Sequence, residues 1–168
     1  MLARVVLFAS AILIAVGALS GTGVLDRLAG MVAPSPEEPA RAASARSPVT
    51  LVADASGHYF VDGAVNARPV RFVVDTGATA VALSAETAKR IGVMPAASAF
   101  TGASRTANGT VAVAPIRLRE IRIGTLSVSG VDAVVMPEGA LSVDLLGMSF
   151  LSRLSAIKVS GQRMVLSP

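Results

Sequence analysis

Asp75 is the residue of this chain best placed to do chemistry. It closes the apolar run Phe72-Val73-Val74 and is followed at once by Thr76, Gly77 and Ala78. An aromatic and β-branched run of this kind reads as a buried strand, so the carboxylate stands where a core ends and a tight turn begins. Thr76 brings a hydroxyl able to bond locally, and Gly77 lets another stretch of backbone come close. Held in this way, a carboxylate can act as general base or acid, because its surroundings control its orientation and its proton. The simpler reading is an Asp-x-Gly turn with a solvated side chain. The uniformly apolar approach and the second β-prone run Ala80-Val81-Ala82-Leu83 weigh against it.

Other chemistries are hard to assemble from this sequence. His58 is the single histidine, so any Ser-His-Asp machinery must use it, and no Gly-x-Ser-x-Gly elbow accompanies it. The chain has no cysteine, which excludes disulfides and thiolate zinc sites. One histidine cannot build a histidine-rich metal centre; a carboxylate site stays formally open, but no metal and no cofactor are expected. No phosphate-cradling Gly-x4-Gly-Lys-Ser/Thr loop is present, and Gly21-Thr22-Gly23 falls inside an apolar run. From Pro48 onward there are 11 Lys and Arg against 8 Asp and Glu. The basic residues (Arg68, Arg71, Arg117, Arg119, Arg122) are scattered, without an aromatic stacking set, which argues against a nucleic-acid face.

The elements that must position Asp75 follow a long preamble. Val5 to Leu25 is a run of 21 residues without a charge. At about 1.5 Å per residue it reaches roughly 30 Å, the thickness of a hydrocarbon core. Residues 1–28 therefore read as a transmembrane anchor or an uncleaved signal. The small-x-small pattern Ala18-Leu19-Ser20 offers cleavage as an alternative, but the apolar character continues past it through Leu25. Flanking charge is nearly balanced by the positive-inside count. The short basic start favours N-in, C-out, which places the rest on the far side of the membrane. Residues 29–47, with Pro34, Pro36 and Pro39 followed by an Ala/Arg/Ser stretch, read as a tether.

From residue 48 the pattern is mainly β. His58 to Val65 and Pro69 to Val74 read as strands around a turn at Asn66-Ala67-Arg68. Ser84 is a good N-cap for a short helix, Ala85 to Ile91, that Gly92 would end. Asn108-Gly109 is the strongest hairpin signal. Strands follow over Ile116 to Ile123 and Ser127 to Val135, broken at Gly124. A short helix over Ser149 to Leu154 and a hairpin of Ala156–Val159 with Met164–Leu166 complete the domain. Many short strands with frequent turns suggest a small all-β barrel.

Four segments occur in a telling order: His58-Tyr59-Phe60, Phe72 to Leu83, Thr106-Ala107-Asn108-Gly109, and Leu145-Leu146-Gly147-Met148-Ser149-Phe150-Leu151. From about Ser47 to the C-terminus this order resembles the bacterial membrane-anchored retropepsin-like proteases of the aspartic protease clan. Asp75-Thr76-Gly77-Ala78 resembles their active-site loop, with Ala78 typical of the single-lobed type. The resemblance implies an all-β, single-lobed acid protease barrel over residues 48–168, in which Val143 to Met148 crosses the active-site loop in a ψ-shaped arrangement. It implies Asp75, Thr76 and Gly77 as catalytic residues. Ala78 and the flap tip, Thr106, Ala107, Asn108 and Gly109, would be substrate-binding.

That chemistry needs two carboxylates sharing a proton, one activating water and the other protonating the reacting group. The chain has one Asp-Thr-Gly, and Asp54, Asp62, Asp132 and Asp144 lack its setting. The second Asp75 must then come from another copy, in a C2 homodimer. Thr76 would bond across the dimer axis, or else merely cap its own turn; the 105–109 hairpin would be a flap, or else a plain surface hairpin. Leu145 to Leu151 reads as core and loop support. The expected function is a membrane-tethered homodimeric aspartic endopeptidase acting on peptides; the alternative is a catalytically silent peptide-binding or assembly module.

Overall fold

The computed structural model describes residues 47–106 and 109–168. The expected anchor (1–28) and all of the expected tether except Ser47 lie outside the described residues. Among the described residues no helix is long and apolar enough to cross a membrane.

The described part is all-β with two short α-helices, as the sequence pattern implies. Strands β1 (Val49–Val52), β2 (Phe60–Val65), β3 (Arg68–Val74) and β4 (Val81–Leu83) lead into helix α1 (Ala85–Ile91). Then come β5 (Gly102–Thr106), β6 (Gly109–Ile123), β7 (Leu126–Val135), β8 (Asp144–Leu146), α2 (Met148–Leu151), β9 (Ala156–Ser160) and β10 (Arg163–Ser167). Seven strands pair in the order β2-β3-β8-β4-β7-β6-β5, and an extra β2–β6 pairing closes six of them on themselves. Closure leaves those strands few free edges. The first strand and the last two form a separate three-stranded sheet, β1-β10-β9.

Local chemistry explains most of the boundaries. The β2–β3 hairpin turns on two residues, Asn66 and Ala67, at φ 49° and 68°. Positive φ at both centres is the type I′ geometry that matches strand twist, so Arg68, expected in the turn, instead opens β3. Helix α1 runs as its caps dictate: the Ser84 hydroxyl accepts from the Thr87 N–H at 3.1 Å. Gly92, left-handed at φ 75°, ends it. Ala85, Ala88 and Ile91 lie on its buried face, three residues apart.

β6 extends beyond the expected Ile116–Ile123, back through Pro115 to Gly109. Its first five residues pair with β5, whose last partner on β6 is Val113. Pro115 follows where that ladder has ended, so its missing N–H costs no bond to β5. The core is built from Phe72, Leu83, Leu118, Ile121, Ile123, Leu146 and Phe150, all fully buried.

β8 decides the fold around the candidate site. It runs parallel to β3, with Val73 opposite Leu145 and Val74 opposite Leu146. On its other side it is antiparallel to β4 through Ala82 and Leu145. A strand from far downstream thus passes between the two strands that flank Asp75.

Candidate active site

Asp75 follows β3 directly and is half-buried. Its backbone N–H donates to the Leu146 carbonyl at 3.1 Å. Its Oδ1 accepts the Gly77 N–H at 2.8 Å, and the Ala78 N–H returns to its carbonyl at 3.3 Å. Side chain and backbone are therefore both fixed, and the turn uses donors within its own three residues. Thr76 and Gly77 are exposed at the tip of the loop.

The crossing strand clamps the far side of the same loop. Met148 N–H donates to the Ala78 carbonyl at 2.8 Å, and Ser149 N–H to the Thr79 carbonyl at 3.0 Å. The Ser149 hydroxyl accepts the Val81 N–H at 3.0 Å and donates to the Asp132 carbonyl at 2.6 Å. Gly147 lies where no side chain fits: a Cβ there would stand 2.2 Å from the Ala80 carbonyl oxygen and 2.8 Å from that of Ala78. Its φ of −90° is open to any residue, so the demand is for space. Gly147→Ala is expected to cost about 3 kcal/mol of stability or more, because backbone rather than a flexible side chain must give way. Chemical denaturation measures it.

Asp75 opens onto a cleft of about 640 Å³. Gly77, Ala78 and Thr106 line it with Asp75, so the structure brings together four of the residues singled out from the sequence. Thr76 and Gly109 do not line it. Gly109 stands opposite Thr106 at the turn end of the β5–β6 ladder, where the Thr106 hydroxyl donates to its carbonyl at 2.9 Å. Ala107 and Asn108 lie outside the described residues.

The apolar wall of the cleft went unseen in the sequence. Val113, Val134 and Met136 form it with Leu141 and Leu145. Leu145, expected to serve only as core and loop support, is half-buried and faces the cleft. The period-2 pattern of β6 and β7 marks two faces, but which one meets the cleft depends on how the strands stack. Beside this wall Lys89 on α1 pairs with Glu138. The bond from the Lys89 ammonium holds the Glu138 carboxyl below the usual carboxylate range. The contribution of this tether between α1 and the 136–141 segment is thus fully present above that range and is lost as pH falls through the lowered pKa of Glu138.

Asp144 is the other unforeseen residue. It is 6% exposed. Its Oδ1 accepts the Ser84 N–H at 2.7 Å and its Oδ2 accepts the Thr87 hydroxyl at 2.7 Å. Asp75 and Asp144 therefore differ in kind: one carboxylate opens to the cleft, the other is sealed among fixed donors. Among the described residues no group of three or more His, Cys, Asp or Glu could hold a metal ion.

Residues 61–153 match the family model described as gag-polyprotein putative aspartyl protease. The chain belongs to this retropepsin-like aspartic protease family. A crystal structure of a retropepsin-like aspartic protease from Rickettsia conorii superposes with a TM-score of 0.64 at 30% identity, covering 72% of this chain and 90% of that one. An uncharacterized protein from the cobV 5′ region of a Sinorhizobium species is 39% identical over 62% of this chain and 45% of its own length. An uncharacterized protein of Rickettsia prowazekii is 32% identical over 71% of this chain and 51% of its own length. The chain thus spans about half the length of these two relatives. Within this family the half-buried Asp75, the β8 crossing and the β5–β6 hairpin are parts of a protease fold.

Proposed function

We infer that the protein is a homodimeric aspartic endopeptidase, tethered to the bacterial inner membrane by its N-terminal segment, with the protease domain on the periplasmic side. One observation carries the catalytic reading: the fixed carboxylate of Asp75 shares a cleft with the β5–β6 hairpin, and no other described carboxylate lines that cleft. Asp144, at the start of the crossing strand, has both oxygens engaged elsewhere. Water activation of the aspartic protease kind needs two carboxylates holding one proton between them. A second copy related by a two-fold axis supplies the partner Asp75, and exposed Thr76 stands ready to bond across that axis.

In such a pair the ionised carboxylate takes a proton from water as the water oxygen bonds to the peptide carbonyl carbon. The protonated one gives its proton to the carbonyl oxygen. Collapse of the tetrahedral intermediate breaks the C–N bond as a proton passes to nitrogen, and no covalent enzyme intermediate forms. Thr106 and the hairpin tip cover the substrate, while Ala78, Val113, Met136 and Leu145 receive its apolar side chains.

Incubating the full chain with a mixed peptide library, beside its Asp75→Asn variant, tests this reading. Cleavage by the wild type alone supports it; binding without cleavage favours a silent peptide-binding module. The cleft also bears on selectivity. Its charged lining residues, among those described, are Asp75 and Arg105, and Arg105 forms no ion pair with a described residue. Peptides carrying Glu near the scissile bond should be cleaved about fivefold better than their Gln counterparts, the scale of a partly exposed ion pair. In Arg105→Glu the order should reverse in favour of Lys, measured as kcat/KM.

A further inference from the structure

We propose that Asp144 is a positioning residue for Asp75: its buried carboxylate locks the register of β8, the strand whose backbone holds the catalytic loop. The inference rests on the protease reading only for its effect on turnover. The positioning itself stands on geometry.

β8 has three residues and meets β4 through a single residue pair. Its ladder to β3 adds three pairs, so few backbone bonds hold it, and a slip of one residue would turn buried Leu146 to the other face. It would also carry the Leu146 carbonyl away from the Asp75 N–H. Burial of Leu146 specifies the face of the strand, and Asp144, at its first position, adds a directional polar lock.

The carboxylate is fixed by a directional chain. Its Oδ1 takes the N–H of Ser84, the residue that follows β4 and caps α1. Its Oδ2 takes the Thr87 hydroxyl within α1. Thr87 Oγ1 in turn accepts from the Arg90 guanidinium at 3.3 Å, and Arg90 donates at 2.6 Å to the carbonyl of Pro69 near the start of β3. One network therefore joins β3, β8 and α1 with the residue that follows β4, the elements around the loop. Both Asp144 partners donate, so only a group that accepts twice fits. An Asn amide would set N–H against N–H, or force the Thr87 hydroxyl to turn. Hydrogen bonds to a charged, buried acceptor are the costly ones to lose.

The test separates positioning from bulk stability. Thr87→Val removes the hydroxyl at nearly constant volume. Met164→Ala, in the terminal sheet away from the loop, provides a control of comparable lost stability; Arg90→Gln serves if Thr87→Val does not fold. Amide hydrogen exchange on the full chain reads the Asp75 and Met148 N–H groups directly, with or without turnover. Thr87→Val should accelerate both by about tenfold or more relative to the control. Once a cleaved peptide is in hand, kcat should fall by about tenfold with KM nearly unchanged, as for a misplaced catalytic group. Unchanged exchange at Asp75 and Met148 overturns the proposal, as does equal acceleration in the control. A wild type that cleaves nothing would instead count against the protease reading, leaving the exchange result to decide this one.

Discussion

Asp75→Asn is expected to abolish cleavage, with kcat/KM falling at least about a thousandfold, and to leave the fold intact. The loss is large because the amide can neither take the proton from water nor hold the proton shared by the pair, and general acid–base catalysis contributes up to about ten-thousandfold. The fold survives because Asn keeps the shape and an oxygen that accepts the Gly77 N–H now bonded to Oδ1 at 2.8 Å. The bonds from Asp75 N–H to Leu146 and from Ala78 N–H to Asp75 use backbone atoms alone. Thermal unfolding of the variant should stay within about 1 kcal/mol of the wild type. The proposed pair should also give a bell-shaped pH profile of kcat/KM with an acidic limb, since its mechanism needs one proton between two carboxylates. Wild-type turnover by the Asn variant, or a rate that climbs steadily into alkali, would end the aspartic mechanism.

Activity per chain is expected to fall on dilution, and Asp75→Asn chains are expected to poison the wild type. On the proposed two-carboxylate mechanism, one cleft carboxylate per described chain means that each working site would need two copies. Well below the dimer dissociation constant the activity per chain should drop about tenfold for each tenfold dilution, by mass action. Membrane anchoring would raise the effective concentration and offset this. In a mixture that pairs at random, a ninefold excess of Asp75→Asn chains should leave about one-tenth of the wild-type activity, because most wild-type chains then sit in mixed dimers. Measuring activity and sedimentation on the same dilution series checks both. Undiminished activity in a monomeric sample would require a second carboxylate within the chain and would sink the dimer.

Much around Asp75 was legible because its causes are contiguous in the chain. An apolar run ending in Asp-Thr-Gly specifies a strand, a turn and a fixed carboxylate within a few residues. Ser84 and Gly92 bound helix α1 by capping chemistry that acts over one turn. Asn66 and Ala67 needed the structure, since their positive φ values shorten the expected turn by one residue and move Arg68 into β3. The rest depends on pairs of segments that meet only in the folded barrel. Nothing local in Asp144-Leu145-Leu146 says that it lies between β3 and β4; a family resemblance suggested the crossing, and the paired registers establish it. Nor does the sequence around Asp144 distinguish a surface acid from a sealed one, because its donors come from residues some 60 positions earlier. The apolar cleft wall is of the same kind: Val113, Val134, Met136 and Leu145 become one surface only when three separate segments stack. Residue types and short-range turn chemistry determine where a carboxylate can be presented. Non-local strand pairing and burial decide which carboxylate faces the cleft and which one holds the frame.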